Sequence, residues 1–139
     1  MKLQTNILLI ILLVFSGLLS AQKPVKDTLG YLKRFETNKE KYIGKPFSLL
    51  LKDMAQLQPA KAKSDIRPEE ENTLPSTLFT FSGKDVSARP NAVLIITWKP
   101  DDSQTAPLEL LEQEHNYRFT PSERNFLEKK IVKNMMVSQ

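Results

Sequence analysis

The 139-residue chain contains no cysteine. That excludes a disulfide framework, thiol catalysis, Cys-ligated zinc, iron–sulfur clusters and a lipid-modified cysteine anchor. It has four glycines, and none falls in a P-loop or dinucleotide pattern. Beyond residue 21 no serine stands in G-x-S-x-G or S-x-x-K, so no common nucleophile setting is present there. Asn-x-Ser/Thr is absent, and with it any acceptor for N-glycosylation. No internal repeat occurs at a useful period. His115 is the single histidine, so a metal site would have to be completed by carboxylates.

Apolar runs are equally scarce. The one continuous run outside a strand-like segment is Ile7–Phe15, preceded by Lys2 and followed by the small residues of Ser16-Gly17-Leu18-Leu19-Ser20-Ala21. It is shorter than the ~20 residues that cross a bilayer. Its order of charge, apolar stretch and small residues is that of a secretory signal. Residues 1–21 are therefore expected to be removed, with the cut after Ala21 and Ser20 as the competing site. The mature chain, 22–139, should have no membrane-spanning segment and carry a net charge of +3. An exported chain with no cysteine and no glycosylation acceptor fits a bacterial periplasm or secretome.

What remains has the size of one domain. With 40% hydrophobic and 26% charged residues it is too apolar to be wholly disordered. Val25, Leu29, Leu32 and Phe35 repeat at helical spacing. Gly44 is placed to end that helix in a left-handed cap, and Pro46 to open the next at its first position. Phe47, Leu50, Leu51, Met54 and Leu57 form the second apolar stripe, closed by Gln58-Pro59. Residues 58–75 read as a flexible loop, with room for a short edge strand within 60–66.

Thr77, Phe79 and Phe81 share one face of a strand, and Gly83-Lys84-Asp85 turns the chain. Residues 92–98 are apolar on both faces, which predicts a central strand covered on both sides. Leu108–Glu114 fits a helix or an edge strand, and Ile131–Val137 a continued helix or a terminal strand. Thr120-Pro121-Ser122-Glu123 is a capping box with proline at the first helical position. The expected fold is a single small α+β domain, a mainly antiparallel sheet with helices packed against it.

The corner Tyr42-Ile43-Gly44-Lys45-Pro46-Phe47-Ser48-Leu49-Leu50-Leu51 resembles a segment of small exported proteins of unknown function in Bacteroidota-type bacteria. Ile131-Val132-Lys133-Asn134 extends the likeness. It implies a compartment and a domain type, and no catalytic residue.

Two functional classes follow. The favoured one is an exported, non-catalytic binding or interaction module without a cofactor or metal, its binding residues not identified by sequence. Its partner would be an envelope or secreted protein, or an anionic surface polymer, because residues 23–52 carry a net +5. Nucleic acid is not expected outside the cytoplasm, although basic residues interleave with aromatics there. The alternative is a small hydrolase or metal-dependent enzyme using His115 with Glu112 and Glu109, against a background in which 99–114 is simply a solvated acidic face. Asp101-Asp102-Ser103 lacks the ordered glycine and distal glutamate of a calcium loop.

Overall fold

The computed structural model describes residues 25–67, 70, 73–81 and 92–139. The expected leader, the Gly83-Lys84-Asp85 turn and most of the acidic stretch 68–72 lie outside the described residues.

Helix α1 (Thr28–Thr37) starts where the Asp27 carboxylate accepts the Gly30 amide at 3.0 Å. It buries Tyr31 and Leu32 and ends at Asn38, followed by a 3-10 turn at Lys39–Lys41. Gly44 is left-handed as its placement predicts, with φ +80°, but it does not cap α1. Its amide donates to the Val132 carbonyl at 2.8 Å, so the turn is held by a tertiary bond rather than by the helix end. Pro46 sits one position earlier than expected, as the N-cap of α2 (Phe47–Asp53). The predicted stripe Phe47, Leu50, Leu51 and Met54 is buried. Gln58 closes the helix end by donating to the carbonyls of Leu51 and Met54.

Four antiparallel strands follow the order β1-β2-β3-β4: Lys61–Arg67, Thr73–Thr80, Val93–Trp98 and Val132–Ser138. The expected α+β domain is therefore present. The loop expectation for 58–75 is corrected, because 61–67 pairs as an edge strand and 73–75 already belongs to β2. Small and charged residues form β1 because its partners supply what its propensity lacks. Pro75 sits in β2 without breaking it: Leu74 and Pro75 together oppose the single residue Ile66, a bulge in which no ladder amide is required.

Leu108–Glu114 resolves as part of helix α3 (Ala106–Glu114), and Ile131–Val137 as strand β4. Helix α4 (Pro121–Leu127) begins at the predicted capping box on Thr120.

The described helices contribute to one core on one side of the sheet. Phe79, Leu94, Ile96, Trp98, Met135 and Val137 meet Leu32, Phe47, Leu50, Leu51, Leu108 and Leu127 there. Phe47 anchors it, its ring 5.2 Å from Trp98 edge-on and 5.0 Å from Phe79. The expectation that β3 is covered on both sides is overturned. Leu94, Ile96 and Trp98 are buried, whereas Val93, Ile95 and Thr97 on the other face are only half-buried. β3 is internal to the sheet, but among the described residues that sheet has one helical layer.

Candidate functional site

His115 closes α3, and the chain then passes through Asn116 and Tyr117 with φ +52° and +62°. Two consecutive non-glycine residues in the left-handed region cost roughly 1–2 kcal/mol each. Hydrogen bonds hold them in place: the Tyr117 amide donates to the Glu112 carbonyl at 2.8 Å, and its carbonyl accepts the Ala62 amide at 2.9 Å. The strained turn thereby covers the outer edge of β1.

Glu123, fully buried, is the hub of the polar cluster beside that turn. It accepts the Thr120 amide at 3.0 Å and the Thr120 hydroxyl. Its other oxygen lies 2.5 Å from His115 Nδ1. Burial pushes this carboxyl up, but the Thr120 hydroxyl, the His115 ring and backbone amides outweigh it and hold the group below the ordinary range. An ionised Glu123 makes His115 Nδ1 the donor.

Glu112, also buried, faces elsewhere. Its carboxylate accepts the Ser64 amide at 2.6 Å, satisfying an edge donor of β1. Burial pushes its carboxyl up; the Ser64 bonds oppose this, and the charges of Glu123 and Glu109 add to it. Ser64 Oγ pairs with Thr77 Oγ1 at 2.8 Å, and the latter accepts from Trp98 Nε1 at 2.9 Å.

Two carboxylates driven in opposite directions beside an imidazole resemble an acid–base pair. The geometry assigns them structural work instead. A nucleophile and an orienting carboxylate must engage opposite nitrogens of the ring. Here Thr120 Oγ1, at 3.4 Å, and Glu123 both approach Nδ1. Glu109 is exposed and joins neither contact, and among the described residues no group of three His, Asp or Glu is gathered to hold a metal. Asp101 is occupied by Lys130 Nζ at 2.8 Å and by the Ser103 amide at 2.9 Å. The solvated-face reading of 99–114 is thus corrected at Glu112, which is 3% exposed.

The residues that sequence reasoning missed lie on the open face of the sheet. The register aligns Lys63, Leu78, Ile95 and Met136 in one row across all four strands. Leu78 is 39% and Met136 51% exposed. Lys63 Nζ stands 5.7 Å from the centre of the Tyr117 ring, so the half-exposed tyrosine of the strained turn continues the row. The neighbouring row, Lys61, Thr80, Val93 and Ser138, adds a second ammonium to the rim. Asp65 is paired with Arg67 at 2.9 Å. The signal available in the sequence was the apolarity of 92–98 on both faces, which marks an exposed apolar surface as well as a covered one.

The basic N-terminal segment is partly consumed by the fold. Lys41 pairs with Asp53 at 2.9 Å, and Lys33 with Glu36 at 3.1 Å. Among the described residues no helix is long and apolar enough to cross a membrane. No protein family, curated protein or solved structure matches the chain.

Proposed function

We propose that this chain is an exported, non-catalytic binding module of the bacterial envelope or secretome, which docks a partner protein across the open face of its sheet. The observation that carries the reading is the row Leu78-Ile95-Met136, an apolar strip bordered by Lys61 and Lys63 and prolonged by Tyr117. A strip of this kind favours a partner presenting apolar side chains flanked by carboxylates. The leader-like N-terminus supports the compartment. The commitment of Glu112, Glu123 and His115 to capping and edge satisfaction speaks against the enzyme alternative.

The test compares the mature chain with Leu78→Glu/Met136→Glu in cross-linking capture from envelope extract. Both changes fall on exposed positions, so the urea midpoint should stay put. The expected result is one partner protein lost in the double variant and competed by salt. Equal capture by both forms overturns the docking face. Capture of an anionic polymer alone, unaffected by the variant, would move the function to the basic N-terminal segment.

A further inference from the structure

A second surface, at the far end of the sheet, is built by two bulges. On β2, Leu74 and Pro75 oppose Ile66 alone. On β4, Lys133 is the extra residue where Thr97 pairs with Asn134 and Trp98 with Val132. Bulges bend a strand and re-aim its side chains. These two part the sheet end around Trp98 and leave a cleft of about 270 Å³. Leu74, Pro75, Trp98 and Pro100 form its apolar wall, and Lys99, Lys130 and Lys133 its charged wall. Glu70 and Asp101 also line it, so among the described residues three lysines stand against two acids there.

Lys130 is the unusual member, because its side chain is only 5% exposed. An ammonium has three donors. Among the described residues its Nζ has one acceptor, Asp101 Oδ2 at 2.8 Å, together with the face of Phe126 at 6.0 Å. Asp101 is itself shared with the Ser103 amide. Lys130 thus brings to the lining of a cavity that also holds Pro75 and Pro100 a largely buried cation with that single acceptor. Trp98 Nε1 is already spent on Thr77, and the residue is 2% exposed, so Trp98 backs the cleft from the core rather than opening a face into it.

We infer that this cleft binds a small organic anion, a short acyl chain or single ring carrying one carboxylate. The carboxylate takes charge-assisted hydrogen bonds from Lys130 with Lys99 or Lys133, and the apolar body lies against Pro75 and Pro100, backed by Leu74 and Trp98. The volume lies just below the usual range for ligand pockets, which limits the ligand to a few carbons beyond its head group. This site is separate from the open-face row and does not depend on it.

Trp98 is the only tryptophan and backs the cleft, so its fluorescence serves as the reporter of occupancy. The mature chain is titrated in parallel with hexanoate, hexanol and inorganic phosphate. The expected result is a saturable change with hexanoate in the millimolar range, with hexanol and phosphate each at least about tenfold weaker. Lys133→Gln, at an exposed position, should weaken hexanoate at least about threefold without moving the urea midpoint. Lys130→Met should abolish the response. If it fails to fold, Lys99→Gln/Lys133→Gln replaces it, with the same expected loss. No saturable response to hexanoate, a response to hexanol or phosphate as strong as to hexanoate, or indifference to the lysine substitutions overturns the inference.

Discussion

Glu112 should reveal itself as a cap whose charge is a burden. Its Oε1 accepts the Ser64 amide at 2.6 Å within an otherwise covered sheet edge. Glu112→Ala orphans that donor, which costs about 1–3 kcal/mol. The same change relieves a buried charge that Glu123 and Glu109 disfavour, so the net loss should be about 1–2 kcal/mol. Glu112→Gln keeps an oxygen at the same place and removes the charge. It should match wild type at pH 7 or exceed it by up to about 1 kcal/mol.

The pH dependence fixes the sign. The folded carboxyl holds its proton above the ordinary 4.5, so wild type loses stability as pH climbs from there through the folded value. The margin of the Gln variant over wild type should widen across that window and close below it. Urea unfolding followed through Trp98 measures all three proteins, and a Tm change of about 4 °C per kcal/mol provides the check. If Gln proves as damaging as Ala, or its margin grows towards acid, the carboxylate is not a desolvated edge cap.

Thr120→Ala should cost about 1 kcal/mol in the same assay, with Thr120→Ser close to wild type. Thr120→Asp, although a good cap in isolation, should be worse than Ser because it sets a second carboxylate against buried Glu123. Glu36 accepts the Val137 amide at 2.5 Å, and this bond first of all lowers its carboxyl below 4.5. Its stabilisation is therefore present above that pH and lost as pH falls through the folded value, and Glu36→Gln should flatten this acid limb of a pH–stability curve. Gly44→Ala should cost about 1 kcal/mol from φ alone, since a Cβ there meets only Lys99 Nζ at 3.9 Å; an unchanged midpoint would refute a rigid left-handed turn. Intact mass of the exported protein should correspond to a chain starting at Gln22, or at Ala21 if the cut follows Ser20. Recovery of the full-length chain alone would refute the leader.

Local chemistry was legible wherever a residue's role is decided by its near neighbours in the chain. The capping box at Thr120 needs only residues three apart, and the stripe Phe47, Leu50, Leu51 and Met54 only the helical period. Both appear as read. The positive φ of Gly44 was legible too, but its purpose was not. The bond that uses it comes from Val132 on β4.

The sequence by itself determined the α+β class, the cap of α4, the buried face of α2 and the absence of thiol chemistry, because these depend on composition and short-range periodicity. Tertiary structure alone decided which faces and edges are spare. Apolar residues on both sides of β3 read alike whether the second side is covered or open, and only the placement of the described helices on one face leaves Leu78 and Met136 exposed and Ile95 half-buried on the other. Glu112 in an acidic run looks solvated until α3 lies along β1 and lends its carboxylate to Ser64. Burial and pairing across the sheet are sums over residues far apart in the chain, and no local pattern encodes them.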